Sequence, residues 1–205
     1  MTVQAIPGGG LRKVRHPFVL LALATLSLAA AQHPRAATAD DLAAQVTVRE
    51  ENGVYTVAAR FRVDGSAERA VAVLTDYDRI PEFMPGVKTS IVRERRADRV
   101  VVEQDAVSKF LFFSKRVHLL LEVRQDGAIL RFRDLEGESF TRYEGTWSVT
   151  QEEGRTVIAY DLTAAPSFSV PTALLSRVLK RDSADMIKQI RLEIARSICP
   201  ADGRS

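Results

Sequence analysis

The sequence predicts an α+β fold: a curved antiparallel sheet of about seven or eight strands wrapped around one long C-terminal helix, with two short helices after the first strands. Three observations predict it. Runs of alternating apolar and polar residues recur from about residue 45 to 165, separated by tight turns. One stretch, 171–198, repeats its apolar residues at three- and four-residue steps. Between the second and third strand-like runs lies a short helical region interrupted by two prolines. Tight turns make successive strands antiparallel neighbours and leave no room for crossover helices, which excludes a parallel α/β fold.

The first 39 residues stand apart from this pattern. Arg12, Lys13 and Arg15 precede an apolar run, 18–31, of 14 residues, interrupted by Thr25 and Ser27. Spanning a bilayer takes roughly 20. A basic start, a short apolar middle and small residues at the end are the marks of a secretory signal peptide. Cleavage after Ala31 or after Ala39 satisfies the small-x-small rule. The expectation is an exported protein, periplasmic or secreted, with a single domain over 40–205 and its core at 45–198; an uncleaved anchor is the alternative.

Removing residues 1–39 also removes Arg12, Lys13, Arg15 and Arg35 and no acid, so the formal net charge falls from +3 to −1. The basicity belongs to the leader, and no nucleic-acid partner is expected. Cys199 is the single cysteine, which excludes an intramolecular disulfide and reads as an idle thiol. A monomer is expected.

"AQVTVRE" and "VYTVAARFRV" flank Glu51-Asn52-Gly53, and Asn-Gly is a strong hairpin signal. Asp64 or Ser66 can cap the helix that follows, with Glu68 in its first turn. Six strand-like runs come next: "VKTSIVRER", "RVVVEQDAV", "FFSKRVHLLLEVR", "AILRFRDL", "SFTRYEGTWSVTQ" and "TVIAYDLTAA". Alternation puts Val117, Leu119, Leu121 and Val123 on one face, with Phe113 extending it backwards. Tyr143, Trp147 and Val149 share that face, with Gly145 leaving room between them, and so do Ile158, Tyr160 and Leu162. Arg116, His118, Glu122, Arg142, Glu144 and Asp161 fall on the other. The sheet therefore has one wet face and one apolar face rich in aromatics.

The segment 171–198 is the cover for the apolar face. Leu175, Leu179, Met186, Ile187, Ile190, Ile194 and Ile198 form a stripe, and Lys180, Arg181, Lys188, Arg191 and Glu193 lie mostly away from it. Ser183 and Ala184 keep the middle of the stripe small. At 1.5 Å per residue the helix is about 40 Å long, enough to cross the whole sheet.

"LTDYDRIPEFMPGV" (74–87) places Phe83 and Met84 between Pro81 and Pro85. With the order of elements, it resembles the polyketide cyclase/dehydrase and coenzyme Q-binding START-like families, whose fold is the helix grip and in which an "LxDYxxxPxFxPG" pattern follows the first helix. "FTRYEGTWSV" and "LKRDSADMIKQIRLEI" are similar to the same group, and the likeness covers about 45–198. It implies a cavity between sheet and C-terminal helix that takes an apolar or lipidic ligand. The two prolines then form a stiff turn that presents Phe83 and Met84 as a plug at the cavity end.

The candidate ligand-binding residues are Tyr77, Phe83, Met84, Phe113, Phe132, Tyr143, Trp147, Tyr160, Phe168 and Met186. Core packing is the plain alternative for the aromatics, and an Asx-type turn is the plain alternative for Asp76, Tyr77 and Asp78. "PSFSVP" (166–171), which carries Phe168, reads as a loop over one cavity end. His118 is the single histidine after the leader and reads as a surface residue, so no metal and no cofactor is expected. "RERRADR" (93–99) is a basic turn, with a transient anionic-membrane contact as its functional alternative. No phosphate loop, GxSxG or other catalytic constellation is present, and no catalytic residue is assigned. The expected function is non-catalytic binding or carriage of a lipid, isoprenoid or quinone-like molecule. The alternative is a cyclase or dehydratase acting on a polyketide-like or aromatic substrate in the same cavity.

Overall fold

A computed structural model of the chain describes residues 45–84, 86–110 and 113–196. All of them lie in the compact unit 37–205. The leader with its cleavage points, Pro85 and Cys199 fall outside the described residues.

The Asn52-Gly53 signal forms its hairpin. Both residues take left-handed conformations (φ 52° and 79°), as the favoured two-residue turn requires. The Glu50 carboxylate accepts from the Gly53 amide at 2.8 Å. This turn joins β1 (Gln45–Glu51) to β2 (Val54–Val63). Ser66 then caps α1 (Ala67–Thr75), its Oγ accepting from the Arg69 amide at 3.3 Å. A 3-10 turn, Tyr77–Arg79, leads into the one-turn helix α2 (Ile80–Phe83). Pro81 sits in the first turn of α2, where its missing amide costs no hydrogen bond. It therefore starts a helix rather than breaking one, a correction to the stiff-turn reading.

Six strands follow: β3 (Val87–Arg95), β4 (Val100–Lys109), β5 (Ser114–Asp126), β6 (Ile129–Asp134), β7 (Phe140–Glu152) and β8 (Arg155–Pro166). The chain ends in α3 (Thr172–Arg196). The eight strands form one sheet in the order β1-β2-β8-β7-β6-β5-β4-β3, antiparallel throughout. The expected architecture, an antiparallel sheet gripping one long C-terminal helix, is the one observed.

The alternation of β2 shows why this sheet folds against something. Tyr55, Val57, Ala59, Phe61 and Val63 are all buried, and the residues between them are mostly exposed. Their β8 partners Ile158, Tyr160, Leu162 and Ala164 are buried on the same face. Ile187, Ile190 and Ile194 of α3 and Ala70 and Val73 of α1 complete this main core. A second cluster joins Tyr55 and Phe110 to Leu175 and Val178 near the start of α3. A third gathers Tyr77, Val102, Val123 and Leu130. Leu121, Phe132 and Trp147, which touch both the first and the third cluster, are only half-buried. Val48 and Leu179, between the first and second, are half-buried too.

The helix departs from its sequence reading at two places. Ala184 is exposed, although its neighbour Ser183 is buried. Glu193 is buried, with Arg79 at 3.2 Å and Arg196 at 3.7 Å. A carboxylate at a helix position otherwise facing the core is tolerable when a guanidinium reaches it.

Candidate functional site

The inner face of β6, β7 and β8 carries a cluster of large rings. Register builds it: Trp147 pairs with Tyr160 and with Leu130, while Gly145 pairs with Leu162 and with Phe132. Trp147 and Tyr160 are 4.2 Å apart between ring centroids. Phe132 lies 6.0 Å from Tyr143 and 6.3 Å from Tyr160. Phe140 packs on the far side of Tyr143 at 4.9 Å. The Phe132 ring covers Gly145: a Cβ there would stand 2.6 Å from Phe132 Cζ and 2.2 Å from the Asp161 carbonyl oxygen. The room expected at Gly145 is thus already filled by Phe132, because a glycine in a strand lets a neighbouring group close in on the backbone.

Tyr143 and Tyr160 both pack against Phe132 on this face. Desolvation pushes the Tyr143 phenol up to about 12, against a smaller lowering effect of Tyr160. The same desolvation raises Tyr160 well above its ordinary value, reinforced by Tyr143. Yet Tyr143, Trp147 and Phe132 keep some accessible surface. Strong desolvation beside residual surface describes side chains that line a confined apolar space rather than open water.

The backbone of α3 keeps its distance from this part of the sheet, while α1 lies against β7 and β8. The backbone of α3 comes closest to β1, β2 and α1, and less closely to α2 and β4; β5–β8 stand farther off. Its tie to the β4 end is polar: Ser108 Oγ donates to Asp182 at 2.7 Å, and Arg181 donates to the Lys109 carbonyl at 2.6 Å. Met186 and Leu179 of α3, Leu121 of β5, and Ile80 and Met84 of the α2 region pack against the same core and are all half-buried. Leu121, Leu179 and Ile80 were absent from the expected site. Alternation and the helical stripe had already placed the first two on the right faces, but a search for aromatics passes over aliphatic residues.

Four expected site residues do other work. Phe83 is 6 % exposed and belongs to the main core, so it packs the fold rather than plugging a mouth. Tyr77 is buried in the third cluster, its phenol raised chiefly by burial. Its neighbours are structural: Asp78 accepts from the Val92 amide at 3.3 Å, and Asp76 pairs with Arg79 at 3.2 Å. Phe113 is 49 % exposed and stacks on buried Phe110 at 4.7 Å. The Phe110 amide donates to the Phe113 carbonyl at 2.8 Å, and exposed Phe113 departs from the alternation counted back from β5. Phe168 lies at one rim, edge-on to Phe140 at 6.3 Å and under the Lys115 ammonium at 4.8 Å. There it lines a concavity of about 360 Å³ with Tyr55 and Val170.

A larger open groove, about 650 Å³, lies on the opposite, wet face. Arg124, Arg131, Arg133, Glu122, Glu144 and Asp161 supply its charges, and this mixed lining does not suit an apolar ligand. Glu122 is 3 % exposed, covered by Arg99 at 3.0 Å, Arg124 at 3.2 Å and Arg133 at 3.1 Å. These bonds, that from Arg124 foremost, hold its carboxyl below the ordinary carboxylate range. Removing the acid by Glu122→Ala leaves three facing guanidinium groups. The expected loss is about 2 kcal/mol, below a core ion pair because the arginines reach solvent. A carboxyl with a lowered folded pKa stabilises fully above its unfolded value near 4.5. That contribution fades as pH falls through the folded value. Urea denaturation of parent and variant should therefore differ at neutral pH and converge in acid.

The basic turn 93–99 is likewise internally paired, Arg93 with Glu103, Arg96 with Glu94, and Arg99 with Glu94 and Glu122. His118 is on the wet face as expected, but in acidic company: Nδ1 is 3.0 Å from Asp105 and Nε2 is 3.1 Å from Glu136. The Asp105 bond raises its pKa. Glu103 and Asp105 form one group with it close enough to share a cation, and Glu136 and Glu138 form another.

The family model for polyketide cyclase/dehydrase and lipid transport matches residues 63–191, more than half of the chain. The chain belongs to this family. Three solved structures are similar to it. One is a protein of Thermus thermophilus (TM-score 0.61, 21% identity, covering 70% of this chain and 99% of that one). A second is the Zhui aromatase/cyclase of Streptomyces sp. R1128 (0.62, 16%, 74% and 99%). The third is a STAR-related lipid transfer protein fragment of Xanthomonas axonopodis (0.57, 15%, 74% and 98%). At these identities the likeness establishes the START-like fold and leaves the chemistry open. No curated protein matches the sequence. The polyketide cyclase/dehydrase and lipid transport family covers both catalysis and carriage, so the choice between them falls to the residues.

Proposed function

We propose that the chain binds a hydrophobic small molecule between the inner face of β5–β8 and α3, as a carrier or binding protein without catalysis. One observation carries the reading: Leu121, Phe132, Tyr143 and Trp147 of the sheet and Leu179 and Met186 of α3 all pack on the core yet stay only half-buried, where the backbone of α3 does not closely approach β5–β8. Apolar surface left uncovered by its own fold is worth roughly 25 cal/mol per Å² to a ligand that covers it. Membership of a family that includes lipid transport supports the same reading.

The enzyme reading has a specific observation too, the tyrosine pair. Both phenols have raised pKa values and stay protonated at neutral pH, so neither is a base there. A protonated phenol can still act as a general acid, so the preference for carriage rests on the half-buried apolar lining and not on this pair. The leader, 18–31 with its basic flank, supports export to the periplasm or medium. The test is mass spectrometry of organic extracts from protein purified natively from its own host, with N-terminal sequencing of the same sample. An apolar compound in stoichiometric amount and a start near Gln32 or Asp40 are expected. Empty extracts would sink the carrier reading, and intact residues 1–39 on a cytosolic product would sink export.

A further inference from the structure

Many acids of the sheet are answered by arginine: Glu152 by Arg60, Glu103 by Arg93, Glu94 by Arg96 and Glu144 by Arg142. The turn between β6 and β7 is different. Its Glu136 meets a histidine, with His118 Nε2 at 3.1 Å, and Glu138 gathers on the same imidazole. The ring is braced from the other side. Its Nδ1 is hydrogen-bonded to Asp105 at 3.0 Å, and the second oxygen of Asp105 accepts from Thr89 at 3.0 Å. The His118 amide donates to Ser139 Oγ at 2.9 Å. Both side-chain neighbours of the ring are acceptors, and a neutral imidazole carries one proton. The hydrogen bond to the braced Asp105 keeps that proton on Nδ1. Nε2 is then a lone pair set against the Glu136 carboxylate, acceptor against acceptor, unless a cation stands between them.

We propose that His118 Nε2, Glu136 and Glu138 form a site for one divalent transition-metal ion of the zinc class. Their ligand atoms lie within 4.8 Å of one another, so small side-chain shifts bring them onto one ion. One imidazole and two carboxylates are donors that zinc accepts, and three protein ligands leave a fourth position to water. Magnesium and calcium, which favour oxygen alone, suit the set less well. Asp105 acts from behind as a positioning residue: a metal-ligating histidine donates its other N–H to such a carboxylate, which fixes tautomer and ring orientation. The other group on this ring, Glu103 with Asp105, is the poorer site, because Arg93 engages Glu103 and Thr89 engages Asp105. The bound ion ties β5 to the β6–β7 turn. That turn is already joined to the segment before Phe168, since Ser167 Oγ donates to the Glu138 carbonyl at 2.6 Å. The site lies on the wet face and stands independently of the carrier function.

The test is isothermal calorimetry with zinc sulfate on chelator-treated protein in slightly alkaline buffer. Cys199→Ser in every sample keeps the single thiol of the chain out of the measurement. One zinc ion per chain is expected, with magnesium giving no saturable heat. His118→Gln should abolish that binding, and so should Glu136→Gln combined with Glu138→Gln. Asp105→Asn should weaken it by about 10–100-fold, the usual effect of losing a partner behind a ligand. Glu103→Gln should leave it unchanged. Zinc should also raise the thermal midpoint of the parent and not that of His118→Gln, as a ligand that binds the folded state does. Cobalt(II) checks the site without any change to its residues: the strong visible bands of a four-coordinate ion are expected. No saturable zinc binding by the parent, or cobalt spectra of the aqueous ion alone, overturns the proposal. Equal binding by parent and His118→Gln means an adventitious ion only and overturns it too. Loss in Glu103→Gln with the Glu136→Gln, Glu138→Gln variant unaffected places the ion on the other donor group and overturns the assignment.

Discussion

Gly145→Ala is expected to lower stability by about 3 kcal/mol, the upper end of what one added methyl group costs in a packed interior. The new carbon would stand 2.2 Å from the Asp161 carbonyl oxygen, which is backbone, and 2.6 Å from Phe132 Cζ. The ring can turn aside. The carbonyl belongs to the β7–β8 ladder, and moving it breaks the pairing of Gly145 with Leu162 and of Thr146 with Asp161. For a domain of this size the thermal midpoint should fall by roughly 6–12 °C. Phe132→Ala in the same background should recover little, because the backbone oxygen is the harder obstacle. A midpoint unchanged within a degree would show that the strands separate freely here, and Gly145 would lose its structural role.

The second large effect separates two adjacent residues. Phe83→Ala is expected to cost about 3–4 kcal/mol, since Phe83 is 6 % exposed within the main core. Met84→Ala should cost only about 1 kcal/mol, because its side chain is half-buried. Ligand behaviour should show the reverse order. Met84 is half-buried against the core that the rings also pack on, so its truncation should speed release of prodan, a neutral naphthyl ketone dye, from folded protein. Paired urea denaturation and stopped-flow release on both variants provide the measurement. If Met84→Ala leaves the release rate untouched, Met84 takes no part in the site. If Phe83→Ala unfolds no more readily than Met84→Ala, the depth assigned to Phe83 is wrong.

Much of the fold was legible because two periodicities and a few turn residues fix it. Alternation located all eight strands, and Asn52-Gly53, Asp126-Gly127, Glu136-Gly137 and Glu153-Gly154 marked their joins. Ser66 and the apolar stripe of α3 did the same for the helices. Face is readable from a strand, but depth is not. Phe83 and Met84 are neighbours of similar polarity, and only the arrival of α3 and β2 distinguishes core from lining. Phe113 shows how a single turn resets parity, so that Phe110 takes the buried place. Ion pairs depend on register. Nothing local to Glu122 announces Arg99, which reaches it from the turn before β4, or Arg133, which reaches it from β6. The tyrosine pair was half visible: alternation put Tyr143 and Tyr160 on one face, but their meeting depends on how β7 and β8 align across Gly145.

The strand order also governs how the chain reaches this state. β3 to β8 form a meander in which each strand pairs with its successor, and β1 with β2 is a hairpin. One ladder is different. β2 must find β8, bringing Tyr55 to Ala164 across nearly the whole domain. The local hairpins close small loops and gain contacts early, whereas this ladder pays for a long loop before any of its bonds form. Closure of β2 on β8 is then the natural rate-limiting step, and refolding belongs in the roughly millisecond-to-second range of sheets ruled by distant pairings. Until that step the apolar edge of β8 and the alternate residues of β2 are open to other chains. The kinetic hazard of this fold therefore lies inside the sheet, in the seam where the N-terminal hairpin meets the last strand, and not at its outermost strands.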